Sequence, residues 1–350
     1  MELKAEDNKF KYSLREFLHQ CRIHRNEDEF RRLVMEGYKN PNLLDIKSQG
    51  DEYHGQIIYH INEYGSYVGF FAEFLFLLTS LYYADDMGLV PYVHWGKDFL
   101  YYQEKKNNTI DNAFLYFFEQ VSDIKEDASA AHVLTANDYH IQYVRKKLNT
   151  LGYAISEEYM DSLSKIIKKY IRYNEKTKLF LEKSYDDLIG KDKALAVHFR
   201  GTDYRRQYNN HPVFITIEQE IEEVYKILKE KDYEVIFLAT DEQNAVNVFK
   251  KEFGDKVKVF EDTWRASEGN ESVAYSHSNR ENHHYLLGLE VLRDQYMLTR
   301  CDGLVCGISN LTLSARMMRK AWYNREYDDL IILDYGLCHN QYAFCDAKHT

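Results

Sequence analysis

The second half of the chain alternates short apolar runs with amphipathic helical patterns, and this alternation is what most limits its fold. The runs of strand character are Ala194–Arg200, Glu234–Thr240, Val257–Phe260, Gly303–Gly307 and Leu330–Asp334. Patterns with the 3.6-residue period of a helix separate them. Because strands that alternate with helices form parallel sheets covered on both faces, we predict a doubly wound, Rossmann-like domain over residues 190–350.

The first half carries a shorter version of the same pattern. A β-rich run at Gln56–Asn62 precedes a glycine-containing loop at Gly65–Gly69, an apolar helix ending near Met87 and a second strand at Pro91–Trp95. Residues 110–185 show mostly helical patterns. At about 100–200 residues per domain, a length of 350 residues fits two domains. We therefore predict an α/β protein in which a more helical domain, residues 1–189, faces residues 190–350 across a cleft.

The charge balance excludes some classes of partner. The chain has 45 Lys and Arg against 56 Asp and Glu, a net charge of −11, whereas a general nucleic-acid binder concentrates basic residues on one face. A local positive pocket for one phosphorylated ligand stays compatible with this balance. The 30 tyrosines suit contacts with sugars and equally suit a tyrosine-rich core.

Cysteine usage and the chain start predict a cytoplasmic protein. The five cysteines form no C-x-x-C pair, and residues 1–10 are charged rather than apolar, unlike a secretory signal. Peripheral contact with the inner face of a membrane needs no spanning helix and stays an open alternative.

We expect no bound metal. The chain has no Asp-x-Asp pair, and it also lacks a G-x-G-x-x-G and a Walker lysine loop, which disfavours oxidoreductase and P-loop functions. Cys338, His339, Cys345 and His349 cluster near the C-terminus with a spacing that matches no standard zinc knuckle, so we interpret them as unligated.

In open parallel sheets, ligands bind beyond the carboxyl ends of the strands, and the first informative strand end is His198-Phe199-Arg200-Gly201-Thr202-Asp203. His198 and Arg200 are two residues apart and project to the same side of the strand. Arg200 could bind a phosphate through two hydrogen bonds, or it could form an ion pair with Asp203.

Two further strand ends carry polar groups. Asp241 follows a strand and precedes a helix, which favours helix capping over a role as partner of His198 or Arg200. Ser309, Asn310 and Thr312 follow the strand at Gly303–Gly307 and open a helix, whose free N–H groups attract anions. Ordinary capping by Ser309 is the alternative. Convergence with Arg200 from a neighbouring strand favours a phosphate site.

Three segments, taken in order, resemble motifs of the fucosyltransferase superfamily of GT-B glycosyltransferases. That superfamily includes α1,2- and α1,6-fucosyltransferases and protein O-fucosyltransferases. The similar segments span about residues 190–320: His198-x-Arg200-x-x-Asp203, Phe237-Leu238-Ala239-Thr240-Asp241, and Asp294–Cys301 followed by Leu304–Asn310. The resemblance implies a GT-B-like fold of two Rossmann-like domains.

The resemblance also implies roles for the candidate residues of a GDP-sugar site. Arg200 would bind the β-phosphate and His198 the nucleotide or phosphate, while Asp294 would accept hydrogen bonds from guanine. Ser309, Asn310 and Thr312 would hold the diphosphate, with Asp241 nearby. The loop beginning at Gly65 would line the cleft near the sugar and acceptor.

The sequence departs from the family pattern at three places, one of which is the N-terminal loop, which lacks the Gly-x-x-x-Asn-Gln pattern of α1,2-type members. Gly201 stands where the family has a second arginine, and Tyr208 stands where α1,6-type enzymes have an acidic base. The general base is therefore unassigned, with Asp203, Glu63 and Glu73 as candidates. Glu73 could simply point away from its apolar helix.

The predicted activity is metal-independent, inverting transfer of a sugar from a GDP-sugar donor, with fucose the first guess, to a glycan or glycolipid acceptor in surface polysaccharide synthesis. The alternatives are a catalytically lapsed binder of sugar nucleotides or glycans and a transferase that uses another nucleotide sugar. No nucleic-acid partner is expected.

Overall fold

A computed structural model of the chain describes residues 46–65, 67–103, 110–125, 127, 129–150, 153, 155–267 and 272–339. The first half contributes three strands and four helices: β1 (Ile58–Asn62), α1 (Phe70–Met87), β2 (Val90–His94), β3 (Val133–Thr135), α2 (Tyr139–Lys147), α3 (Glu157–Tyr170) and α4 (Glu175–Leu188). The second half contributes five strands and four helices: β4 (Ala194–Phe199), α5 (Ile217–Glu230), β5 (Val235–Thr240), α6 (Gln243–Phe253), β6 (Val257–Lys258), α7 (His283–Arg300), β7 (Gly303–Gly307), α8 (Asn310–Tyr323) and β8 (Asp329–Leu333).

The second-half strands form one parallel sheet in the order β6-β5-β4-β7-β8. Strands β5 and β6 follow β4 on one side of the sheet, whereas β7 and β8 lie on its other side, so the strand order reverses between β4 and β7. In such sheets the ligand crevice lies beyond the carboxyl ends of the two strands at which the order reverses, here β4 and β7. The register sets His198 of β4 beside Cys306 of β7. The predicted Rossmann-like fold of the second half is confirmed, while the bounds of the domain stay a prediction.

A second parallel sheet, ordered β2-β1-β3, lies in the first half. The α/β, GT-B-like prediction is therefore confirmed by two parallel sheets with helices. Helix α1 ends where Gly88, at φ 66°, turns left-handed and donates its N–H to the carbonyls of Ala84 and Asp85. Side chains along α1, including Phe74, Leu77 and Leu81, are buried.

Residues 110–185 differ from the helical patterns that their sequence suggests. Strand β3 is only three residues long, too short to show a period, and Ala113–Tyr116 form a 3₁₀ turn instead of an α-helix. Residues 157–188, whose sequence reads as one long helical pattern, form the two helices α3 and α4, because the Asn174 side chain accepts the N–H of Thr177 and starts α4.

The two halves share one hydrophobic core. Helix α8 packs against α3 and α1, and α4 contacts α7. The second sheet starts at Ala194, and the domain boundary at residues 189–190 stays a prediction. None of the described helices combines the length and apolar character needed to cross a bilayer.

Candidate functional site

The crevice between β4 and β7 contains Arg200. Arg200 follows β4 directly, and Ser309 follows β7 by one intervening residue. Both residues, with His198, line a small cavity of about 10 Å³. Arg200 and His198 also line a larger cavity that includes Asp294 of α7 and Leu311 of α8. The structure thus brings Arg200 and the start of α8 to the same crevice.

Arg200 is held by acidic neighbours. One terminal nitrogen, Nη2, donates to Asp203 Oδ1 at 2.8 Å and to Ser272 Oγ at 3.3 Å, and Nε lies 3.3 Å from Asp241 Oδ2. Although burial opposes its charge, Asp241 and Asp203 raise the pKa of Arg200, so the guanidinium is a permanent cation. The Arg200–Asp203 ion pair is thus present, and a bound phosphate would have to exchange with these carboxylates.

Asp241 does not cap the following helix, so the capping interpretation is wrong. Its carboxylate accepts the N–H of Gly201 at 3.0 Å and the O–H of Thr202 at 2.7 Å. The residue at the cap position of α6 is Glu242. The Asp241 carboxylate thus faces the turn after β4 rather than helix α6. In this place it holds the turn and positions Arg200.

Gly201 packs closely against two side chains. A Cβ atom at this position would lie 2.0 Å from Glu242 Oε2 and 3.0 Å from Phe199 Cε1. The Glu242 carboxylate is itself held by Arg205 Nη1 at 2.6 Å. A larger residue at position 201 would therefore require the Glu242 side chain, and with it this ion pair, to shift.

His198 is buried at the end of β4. Burial and the Arg200 charge lower its pKa to about 3, so the imidazole is neutral at physiological pH and can donate one N–H to a ligand. The small cavity beside it is also lined by Glu220 of α5, whose pKa burial raises. Sequence reasoning missed Glu220, since it looks like the other glutamates of an amphipathic helix.

The start of α8 forms a capping box. Ser309 Oγ accepts the Thr312 N–H at 3.2 Å, and Thr312 Oγ1 accepts the Ser309 N–H at 3.2 Å. Both side chains are thus turned to the helix backbone, as the capping alternative expects. The N–H groups of Asn310 and Leu311 have no acceptor among the described residues and are available to an anion. Phosphate contacts of Ser309, Asn310 and Thr312 stay predictions.

Asp294 lies in the larger cavity, which has a volume of about 80 Å³ and opens to solvent. Burial raises the pKa of this carboxyl to about 7, against smaller opposing effects of Arg293 and Arg265. Trp264 lines the same cavity and supplies a flat ring, and Tyr101 reaches it from the first half of the chain. Neither aromatic residue was a candidate from sequence, because isolated aromatic residues carry no motif.

The glycine loop lies at the contact between the two halves. Gly65 adopts φ 152°, and a Cβ there would meet the Tyr67 ring at 2.8 Å. The Tyr275 hydroxyl donates to the Tyr67 carbonyl, which ties this loop to the second half. Gly65 is not among the described residues that line the cavities at Arg200.

The candidate bases occupy different places. Asp203 contacts Arg200, whereas Glu63 accepts the Gly96 N–H at 2.7 Å and lines a separate cavity at the end of β1. The structure therefore does not bring Glu63 into the cavities at Arg200. Glu73 does not point away from its helix: it is 1% exposed, and its two oxygens accept the Tyr64 N–H at 2.8 and 2.9 Å.

Replacing Glu73 should change how stability depends on pH. Burial raises the pKa of Glu73 to about 8, while an unfolded glutamate titrates near 4.5, so the wild-type protein loses stability as pH rises from about 5 through 8. Between pH 6 and pH 9, the free energy of unfolding of a Glu73→Gln variant should fall by about 1–3 kcal/mol less than that of the wild-type protein. Urea unfolding at both pH values measures this, with the exposed Glu119→Gln as control. An equal alkaline loss in Glu73→Gln and wild type would contradict it.

No group of three or more His, Cys, Asp or Glu that could hold a metal ion occurs in the described part of the chain. Of the C-terminal cluster, Cys338 is buried and donates its S–H to the Pro212 carbonyl at 3.8 Å. Cys345 and His349 lie outside the described residues.

Comparisons with known proteins place the chain among low-identity structural neighbours. No protein-family model matches it, and no curated protein matches it. Among solved structures it is similar to the α-1,6-fucosyltransferase NodZ soaked with GDP-fucose, at 17% identity and a TM-score of 0.49, over 75% of this chain and 92% of that one. NodZ from Bradyrhizobium gives 16% identity and a TM-score of 0.48, over the same shares of the two chains. POFUT1 in complex with GDP is 12% identical with a TM-score of 0.44, over 79% of this chain and 99% of that one. The chain is thus similar to solved fucosyltransferases.

Proposed function

We propose that the chain is a glycosyltransferase that uses a GDP-sugar donor. One observation supports this most: Arg200 and the amino end of α8 meet where the strand order of the sheet reverses, beside a cavity that contains Asp294. A guanidinium and a helix start suit a diphosphate, and a carboxylate suits the N1–H and amine of guanine. The three motif segments, and the GDP and GDP-fucose named with the neighbouring structures, agree with this donor.

The proposed reaction is a single displacement with inversion. The acceptor oxygen forms a bond to the anomeric carbon while the bond from that carbon to the diphosphate oxygen breaks, and a base takes the acceptor proton. Arg200 and the α8 N–H groups stabilise the charge on the departing GDP, a role whose loss costs about 10²–10³-fold in rate. The base, worth about 10²–10⁴-fold, is proposed among Asp203 and Glu63.

The finer features of the proposal rest on the motif resemblance. Fucose is the first sugar to test, transfer needs no metal, and the acceptor is a glycan or glycolipid of a bacterial surface polysaccharide. The proposed location is the cytoplasm, with peripheral membrane contact as an alternative.

A second function is a catalytically lapsed binder of sugar nucleotides. The packing of Gly201 against Glu242 favours it, because the site then offers one arginine where related motifs carry two. Measuring GDP release from a GDP-sugar, with and without glycan acceptors, distinguishes turnover from binding alone.

A thermal-shift panel tests the donor. GDP should raise the melting temperature more than UDP or ADP, since a ligand at 100 times its Kd stabilises the folded state by about 2.7 kcal/mol. GDP-fucose and GDP-mannose then compare the sugars. A larger shift with UDP would favour another nucleotide sugar, and no shift with any nucleotide would refute the donor proposal.

A further inference from the structure

A second cavity lies at the carboxyl ends of β1 and β3, outside the crevice at Arg200. It has a volume of about 310 Å³, at the lower end of the range of about 300–1,000 Å³ typical of ligand pockets. It is lined by Ile61, Asn62, Glu63, Tyr64, Tyr67, Phe76, Leu77, Ser80, Ala136, Asn137, Asp138 and His140. The ends of parallel strands are where α/β folds bind ligands, and this cavity suits one or two sugar rings.

Aromatic rings form one wall of this cavity. The Tyr64 ring stacks on Phe76, with centroids 3.7 Å apart and planes 10° from parallel, and meets the edge of Tyr67 at 6.0 Å. Tyr67 is 45% exposed. Because Tyr64 and Phe76 already fix each other, the Tyr67 ring is the face available to the C–H side of a sugar.

Carboxylates and amides supply the polar wall. Asp138 and Asn62 are exposed at the cavity, and Glu63 is half-buried there. No Lys or Arg is among the described lining residues, although Arg145 of α2 is near enough to lower the pKa of Tyr64. Oxygen acceptors bind sugar hydroxyls and attract a protonated amine, whereas they repel a carboxylate or phosphate.

Residues 67–70 form a segment that connects a wall of this cavity to a wall of the donor crevice. The segment carries Tyr67, whose carbonyl accepts from Tyr275, and the preceding Ala274 lines the cavity at Arg200. At its end, the Phe70 N–H donates to the Tyr101 hydroxyl at 3.1 Å, and Tyr101 also lines that cavity. A saccharide in the second cavity would therefore contact the same chain segment that borders the donor crevice.

We propose that this second cavity binds the acceptor, as a neutral or amine-bearing saccharide, and rejects sugars that carry a carboxylate or phosphate. The binding of saccharide follows from the cavity's own lining, while the name acceptor rests on the proposed function. Tyr67 supplies the stacking face, and Asp138 supplies the preference for positive charge.

Saturation-transfer NMR with three matched probes tests this proposal: the methyl β-glycosides of glucose, glucosamine and glucuronic acid. At mildly acidic pH the glucosaminide should bind about three- to fivefold more tightly than the glucoside, as expected for an exposed ion pair, and the glucuronide should bind most weakly. Tyr67→Ala should weaken both binding probes about tenfold. Asp138→Asn should abolish only the preference for the amine.

Tyr225→Ala is the matched control, because Tyr225 is 39% exposed on α5, outside this cavity. GDP binding is measured on every variant and should not change. Glucuronide binding as tight as glucoside, no binding of any probe, or equal losses in Tyr67→Ala and Tyr225→Ala would each overturn the proposal while leaving the GDP-sugar function intact. Normal saccharide binding without GDP binding would instead refute the donor function alone.

Discussion

An Arg200→Lys variant is expected to lose about 10²–10³-fold in the rate of sugar transfer while it stays folded. Lysine keeps the positive charge between Asp203 and Asp241 but lacks the planar fork that gives two hydrogen bonds to a phosphate. Arg200→Ala is a weaker test, because it would leave the 10%-exposed Asp241 carboxylate without its cationic partner and destabilise the protein. Initial rates of GDP release with acceptor present, together with the melting temperature, measure the effect.

Arg205→Lys is the matched control. Arg205 has nearly the same side-chain exposure as Arg200, 31% against 32%, and also forms an ion pair with a carboxylate, that of Glu242. Its fork faces Glu242 rather than the end of α8, so the rate should change less than about threefold. Equal effects of the two substitutions would show that Arg200 has no special place in the reaction.

The affinity for GDP is expected to rise with pH from about 6 to about 8 and then level off. Burial raises the pKa of Asp294 to about 7, so this carboxyl is largely protonated at pH 6. Guanine offers N–H donors, which need the ionised carboxylate, so binding at low pH must first release the proton. Below the pKa, each pH unit should weaken binding by up to about tenfold. Titration calorimetry across this range gives both the affinity and the proton release.

Two comparisons separate Asp294 from other titrating groups. ADP shares the diphosphate ionisation of GDP but lacks the guanine donors, so the steeper pH dependence should be confined to GDP. An Asp294→Asn variant should bind GDP with the shallower, ADP-like dependence. If GDP and ADP respond to pH identically in the wild-type protein, Asp294 does not contact guanine.

The second sheet and its strand-end residues could be predicted from sequence because each element carries its own local signal. Strands β4, β5 and β7 are buried apolar runs, and the start of α8 shows a Ser309–Thr312 capping pattern. The convergence of Arg200 with α8 follows from topology alone, since adjacent parallel strands end at the same edge.

The rest depends on contacts between segments far apart in sequence. Asp241 follows a strand just as a capping residue does, and only the position of the turn at Gly201 and Thr202 directs its carboxylate away from the helix. Burial of Glu220 and Glu73 is decided by neighbouring elements rather than by their own helices. Strand β3 exists through its pairing with β1, since three residues have too little intrinsic preference to form a strand alone.

The placement of α8 limits how the enzyme could open. Its first turn borders the donor crevice, while its length is embedded against α1 and α3 of the other half. A wide hinge motion between the two halves would separate this shared core and expose its apolar surface to water, which is unfavourable. Substrate entry should therefore depend on local movements rather than on a hinge between the two halves, and each half expressed alone should expose the apolar surface that it buries against the other.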